Sequence, residues 1–205
     1  MLNKTTVIVF AVIAMAAGFW LASSLSTTEQ DDLPQIQGAV LENARQIAVP
    51  ELVRHDERPF TNADLSEKWT LMFYGYASCP DICPMTMNAL AEAKRKASGE
   101  FPQVVMVSVD PQRDGVELLG EYVRYFDPDF IGVTGDEKMI QALALQMSVV
   151  YAKMPGASGN ENDYLVDHSS SVLLINPEGK LAAFLKAPHT PDSINGSVEK
   201  VRAFY

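Results

Sequence analysis

The chain contains two cysteines, Cys79 and Cys83, spaced four apart in the stretch Tyr74-Gly-Tyr-Ala-Ser-Cys-Pro-Asp-Ile-Cys-Pro84. A thiolate attacks disulfides and binds soft metal ions, and a neutral thiol does neither well, so the surroundings of the pair decide what it can do. Upstream, Thr70–Tyr76 is apolar and aromatic without helical periodicity, which predicts a strand buried on both faces. Downstream, Pro84 suits the first turn of a helix. Because the residue before a proline is pushed out of the α region, both cysteines are expected on non-helical backbone, with Cys83 as the N-cap. There the Cys83 sulfur would sit among unpaired N–H groups at the positive helix end, and its thiolate would be favoured.

The rest of the chain must export, hold and orient that pair. At 205 residues, of which 47% are apolar, it has material for one domain with a sizeable core plus appendages. A formal charge of −10 argues against nucleic acid or an anionic lipid surface as partner, and no phosphate-binding motif offsets it. Thr5–Leu25 carries no charge and as a helix would span roughly 30 Å, one hydrocarbon core. Lys4 precedes this run and Glu29, Asp31 and Asp32 follow it, which predicts a cytoplasmic N-terminus, a single-pass inner-membrane anchor and a periplasmic domain. A cleaved signal peptide is the competing reading; Trp20 and Leu21 extend the run past an ordinary signal core, and no Ala-x-Ala site follows. No cysteine sits just after the run either, so a lipid-modified cysteine is not expected as the anchor. In an extracytoplasmic domain the cysteine pair is open to oxidation, to reduction by a dedicated partner, or to metal.

The chain divides into an anchor at 1–25, a linker at 26–38 within the polar stretch Ser23–Gln37, and a domain at 39–205. Ala44–Val53 and Arg58–Asp64 read as an edge hairpin. Leu119, Tyr122, Val123 and Phe126 follow helical spacing, as do Ile140, Leu143, Ala144 and Met147, and Asp114-Gly-Val-Glu117 and Thr134-Gly-Asp-Glu137 read as their capping boxes. Val104–Val109, Phe130–Val133, Val149–Met154, Val172–Ile175 and Leu181–Phe184 read as strands, the last two joined by the turn Asn176-Pro-Glu-Gly179. This order predicts an α/β fold, a central mixed sheet flanked by helices. The cysteine motif at the first strand-to-helix junction points to the thioredoxin-like version of it.

Tyr-Gly-Tyr-Ala-Ser-Cys79-Pro-Asp-Ile-Cys83-Pro, Val107-Ser-Val-Asp110-Pro-Gln-Arg113-Asp114, Phe130-Ile-Gly-Val-Thr-Gly135 and Tyr164-Leu-Val-Asp167-His168-Ser169 occur in that order. From about residue 40 to the end, the chain resembles the Sco (SenC) family: membrane-anchored, thioredoxin-like copper proteins that help assemble the binuclear copper A centre of cytochrome c oxidase. The resemblance implies that Cys79, Cys83 and His168 are the ligands of one copper ion per chain. It further implies, as partners, an upstream copper donor and the copper A-bearing oxidase subunit.

The residue types suit that chemistry. Copper(I) is soft and accepts two thiolates and an imidazole, whereas copper(II) prefers added nitrogen or oxygen donors, so a Cys2His set can hold both. Three residues between the cysteines make a wider loop than the two-residue spacer of thioredoxin-type oxidoreductases, leaving room for a metal between the sulfurs; a disulfide remains open to the same pair. His168 is 85 residues beyond Cys83, so only the fold can join them, and a thioredoxin-like topology packs the loop before Val172–Ile175 against the cysteine loop. Asp167 is a candidate to orient His168, and Asp81 to add an oxygen donor or simply negative charge beside the helix start. Met85 and Met87 offer thioethers but suit core filling. Asp110, Arg113 and Asp114 read as a strand exit and cap, with Arg113 in an ion pair, and Pro155–Asp163 reads as a mobile loop near His168. His55 and His189 read as solvated. Two functions of different class follow: a copper chaperone, which is not an enzyme, or a thiol–disulfide reductase using Cys79 and Cys83 as a dithiol on the client's copper-ligating cysteines. A redox sensor has no specific support, and the distant imidazole, which a dithiol reductase does not need, places the chaperone first.

Overall fold

The computed structural model describes residue 3 and residues 13–20, 33–156, 160 and 163–205. Residues 13–20 are helical, with Ile13, Met15, Phe19 and Trp20 exposed; the remainder of the apolar run 5–25 and residues 26–32 of the linker lie outside the described residues. Among the described residues no helix is long and apolar enough to cross a membrane. Pro34–Tyr205 forms a compact unit of its own.

That unit is built around β4 (Thr70–Gly75), every residue of which is buried, so the sheet is covered on both faces there, as an unbroken apolar run requires. β5 (Gln103–Ser108) pairs parallel on one side, followed by β6 (Ile131–Gly135), also parallel, and then by β2 (Leu52–Arg54) and β3 (Pro59–Phe60), both antiparallel. On the other side lie β9 (Val172–Ile175), β10 (Lys180–Leu185) and β1 (Gly38–Gln46), all antiparallel. The crossovers are α1 (Ile82–Lys96) and α2 (Val116–Phe126); α3 (Glu137–Gln146) follows β6, and α4 (Pro191–Phe204) packs on α1. The apolar stripes of α2 and α3 face inward as expected: Leu119 and Val123 are buried, and so are Ile140, Leu143, Ala144 and Met147. In the β9–β10 turn Asn176 Oδ1 accepts from the Glu178 and Lys180 N–H groups, and Gly179 takes the left-handed φ of +72° that the turn needs.

Four expectations are corrected. The supposed edge hairpin splits between opposite edges: β1 begins earlier and pairs with β10, while β2 and β3 form a hairpin against β6, with Pro59 on the outermost strand where its missing N–H costs no ladder bond. The helix caps shift by one and two residues, to Gly115 for α2 and Asp136 for α3, whose carboxylate accepts from Lys138 N at 2.8 Å. Asp114 is instead buried, and Thr134 lies in β6 with its hydroxyl donating to the Asp114 carbonyl. Finally, Tyr151–Pro155 (β7) does not join the main sheet but pairs with a strand the sequence reading missed, β8 (Tyr164–His168), in a separate two-stranded ribbon. The connection between these two strands includes residues 157–159 and 161–162, which lie outside the described residues.

Register explains what the fold positions. Gly75 lies opposite Ser108, and Phe73 opposite Val172, so the cysteine loop, the turn after β5 and the chain entering β9 all leave the sheet at one end. This is the carboxyl end of the parallel strands, where α/β sheets gather their ligands.

Candidate metal centre

The helix start differs from the expectation. α1 begins at Ile82 with Asp81 as N-cap, so Cys83 is the second helical residue and Pro84 the third. The restriction before a proline is a preference, and Pro84 loses no bond in a first turn whose N–H groups have no intrahelical partner. The Asp81 side chain makes no capping hydrogen bond; the Cys83 N–H donates to Cys79 Sγ at 3.4 Å, so a sulfur takes the place of the cap. Both cysteines are free thiols, Cys79 half-buried in the loop and Cys83 fully buried. Gly75 makes the space behind them, since a Cβ there would lie 2.7 Å from Phe73 Cε1 and 3.0 Å from Cys83 Sγ.

This reverses the expected order of acidity. Hydrogen bonding at its sulfur, from the Cys83 side chain first and then from His168 and the backbone N–H groups of Asp81 and Cys83, holds the Cys79 thiol well below the usual range in spite of partial burial. The same hydrogen bond, together with burial, pushes the Cys83 thiol far up. The thiolate at the helix start is therefore Cys79, the one that meets solvent. In the metal-free, reduced protein, alkylation of Cys79 by iodoacetamide is expected to stay nearly constant from pH 8 down to about pH 5, whereas an ordinary thiol near 8.5 loses about tenfold per pH unit. Cys83→Ala removes the largest of these contributions and should move the fall in Cys79 labelling to higher pH. A sloped profile for Cys79 in the unsubstituted protein, or faster labelling of Cys83, would contradict the assignment; peptide mass spectrometry reads both sites.

His168 arrives from the end of β8, its Nε2 3.4 Å from Cys83 Sγ. Burial alternates along this strand: Val166 is buried and Tyr164 and His168 half-buried, while Leu165 and Asp167 are exposed. His168 Nδ1 lies 3.1 Å from the Ser169 carbonyl; a carbonyl only accepts, so Nδ1 carries the proton and the Nε2 lone pair faces the sulfurs. The ring stands edge-on to Phe73 and Tyr76, with centroids 5.9 and 6.0 Å away.

Cys79, Cys83 and His168 form the single group of three or more potential metal donors among the described residues, with ligand atoms all within 4.8 Å of one another. With metal–sulfur bonds of about 2.3 Å and metal–nitrogen bonds of about 2.0 Å, a donor triangle has edges of about 3.5–4.5 Å, so the set fits one ion with little rearrangement. The other candidates fall outside it. The Asp81 and Asp167 side chains are exposed, and the group facing His168 Nδ1 is the Ser169 carbonyl, the role expected of Asp167. Met87 is core, and Met85 is 62% exposed. His55 is not simply solvated: its Nδ1 accepts from Gly132 N at 3.0 Å, and burial lowers its pKa. His189 Nε2 donates to the Ser170 carbonyl at 2.8 Å. Sequence reading also underrated Asp114, whose buried Oδ2 accepts from Ala77 N at 3.0 Å and Ser108 Oγ at 2.7 Å, tying the cysteine loop to β5. An acidic residue inside a run that otherwise leaves a strand was the available signal.

Sequence comparison supplies the family. The SCO1/SenC pattern matches residues 41–203. This chain belongs to the SCO1/SenC family. Among its relatives, the mitochondrial SCO1 homolog 1 of Arabidopsis thaliana is 38% identical over 157 residues, 75% of this chain and 46% of that protein, so the chain spans about half the relative's length. The human mitochondrial SCO2 homolog is 33% identical over 196 residues, 92% of this chain and 71% of its own length. The copper-bound crystal structure of Arabidopsis thaliana ScoI superposes with a TM-score of 0.71 at 36% identity, covering 78% of this chain and all of that one. Copper-bound yeast Sco1 gives 0.68 at 26% identity, covering 78% of this chain and 90% of that one. The thioredoxin-like, mixed α/β architecture expected from the sequence is the one these Sco structures share.

Proposed function

We propose that this SCO1/SenC chain holds one copper ion between Cys79, Cys83 and His168 and passes it to the copper A-bearing subunit of cytochrome c oxidase during assembly. In this reading it receives copper from an upstream donor protein and is held at the inner membrane by residues 5–25, with the domain in the periplasm. One observation carries the reading: two sulfurs from the β4–α1 junction and an imidazole from a ribbon 85 residues later converge within 4.8 Å. The Cys79 thiol, held well below the usual range and only half-buried, is ready for capture, while the buried Cys83 gives up its proton when the ion arrives. His168, its Nδ1–H held by the Ser169 carbonyl, presents Nε2 as the third donor. Two thiolates suffice for copper(I), whereas copper(II) leans on the nitrogen.

His168→Ala is therefore expected to weaken copper(II) by about 10- to 100-fold or more while copper(I) changes little. Equal loss of both affinities, measured by competition with chelators, would show that the imidazole's role is different. The delivery step is tested by mixing the copper-loaded protein with the reduced, metal-free copper A domain and following the client's own absorption. Reduction of an oxidised client with no copper transfer would favour the reductase reading instead. That second reading has one observation behind it, a half-buried Cys79 of lowered pKa beside a fully buried Cys83. In such a reaction the Cys79 thiolate attacks the client disulfide and one client thiolate leaves. Cys83 then attacks Cys79 in the mixed disulfide, releasing the second client thiol and leaving an internal disulfide.

A further inference from the structure

The ribbon that carries His168 is not hydrogen-bonded into the main sheet, so something else must fix the imidazole over the cysteine loop. Phe73 backs the ring edge-on, and the other contacts that hold the ribbon gather on the two aromatic residues Tyr164 and Tyr76. Arg113, in the turn after β5, donates through Nε to Asp110 Oδ2 and through Nη1 to the Tyr164 carbonyl at 3.1 Å. Its guanidinium lies over the Tyr164 ring at 3.9 Å and, more distantly, faces the Tyr76 ring at 5.6 Å. The Tyr164 hydroxyl in turn donates to the other oxygen of Asp110 at 2.8 Å. Tyr164 is thus held at its ring face, its carbonyl and its hydroxyl. Two residues on, the Val166 N–H donates to the Tyr76 hydroxyl at 3.3 Å; after two more, His168 packs edge-on against the Tyr76 ring.

We propose that Asp110, Arg113 and Tyr164 form a clamp that positions His168 and thereby sets the copper(II)-over-copper(I) preference of the site. The inference rests on the ligand assignment above, because the clamp acts only through the imidazole. Asp110 is fully buried, and a fork-shaped guanidinium can satisfy it, accept stacking on Tyr164 and reach the strand carbonyl at once. A lysine supplies one point charge and cannot do all three. None of the three residues belongs to the donor group itself, so Arg113 is a positioning residue. Cys79 lies in the β4–α1 loop and Cys83 in the first turn of α1, and Asp114 holds that loop at Ala77, so loss of the clamp leaves the dithiol in place.

The test uses the full-length protein with copper as the probe, comparing Arg113→Gln, Arg113→Lys, Tyr164→Phe and His168→Ala. Arg113→Gln is expected to weaken copper(II) by about 10- to 100-fold with copper(I) within about threefold, and to weaken the nitrogen hyperfine coupling in the copper(II) electron paramagnetic resonance spectrum. Arg113→Lys should fail to rescue either. Tyr164→Phe, which keeps the ring and loses only the hydroxyl bond to Asp110, should shift copper(II) in the same direction by less; it carries the test if Arg113→Gln does not fold. The decisive comparison is the double variant: if Arg113 acts through His168, adding Arg113→Gln to His168→Ala costs no further copper(II) affinity. A further loss in that background, equal loss of both oxidation states in a folded protein, or unchanged copper(II) in the single variants would each overturn the clamp. An unchanged copper(II) affinity in His168→Ala would overturn the ligand assignment itself, and the clamp with it.

Discussion

The double variant Cys79→Ser, Cys83→Ser is expected to lose stable binding of copper in both oxidation states, the largest effect this site should show. Structural zinc sites with four protein donors are worth about 10–16 kcal/mol, so on that scale one thiolate accounts for about 2.5–4 kcal/mol, on the order of a hundredfold to a thousandfold in affinity. Losing both leaves one imidazole, and no other group of three potential donors exists among the described residues to take over. The single variants should differ. Cys79→Ser removes the thiolate that meets solvent, while Cys83→Ser removes a buried ligand and also alters the hydrogen bond that keeps Cys79 ionised. Serine fills nearly the same space, so the metal-free fold should persist. Equilibrium dialysis with metal analysis reads the result, and one tightly held copper in the double variant would rule out this site.

Copper(II) is expected to raise the melting temperature of the protein by about 10 °C, and His168→Ala to remove about one- to two-thirds of that rise. A ligand that binds only the native state adds RT ln(1 + [L]/Kd), about 4 kcal/mol for a nanomolar site at micromolar free metal. For a domain of this size each kcal/mol moves the transition by about 2–4 °C. The structural reason is that the donors lie on separate supports: the cysteines at the β4–α1 junction, and His168 on a ribbon outside the main sheet. A shared ion ties the two together. Unfolded cysteines also bind copper and reduce the gain, which is why the comparison needs the His168→Ala protein, with its dithiol intact. An equal rise in both proteins would show that the imidazole does not bridge the two supports.

What the sequence discloses here divides by range. The all-buried β4, the stripes of α2 and α3 and the Asn176–Gly179 turn rest on periodicity or local turn chemistry, and each lies where the sequence places it. The convergence of Cys79, Cys83 and His168 was expected from the family resemblance, supported by the cysteines at a strand-to-helix junction and by His168 standing just before a recognisable strand. β8 escaped because Tyr-Leu-Val-Asp-His is short and pairs only with β7, so its alternation becomes plain only from burial. Asp114 and Thr134 looked like caps because the partners that claim Asp114, Ala77 and Ser108, come from another turn and from β5, beyond any local rule. The acidity of the two cysteines was assigned in reverse for a related reason. The helix field was anticipated, but which sulfur is buried and which receives the hydrogen bond is a property of packing, and those two effects outweigh position along the helix. The Arg113–Tyr164 contact spans 51 residues and carries no local pattern at all.

The most direct test of the central claim is metal analysis combined with electronic absorption of the purified unit Pro34–Tyr205 after loading with copper(II) and removal of excess metal. The account predicts one copper per chain and an intense thiolate-to-copper(II) charge-transfer band that disappears in the Cys79→Ser, Cys83→Ser protein. Copper bound without that band, or no copper retained while the folded protein keeps two free thiols, would contradict it.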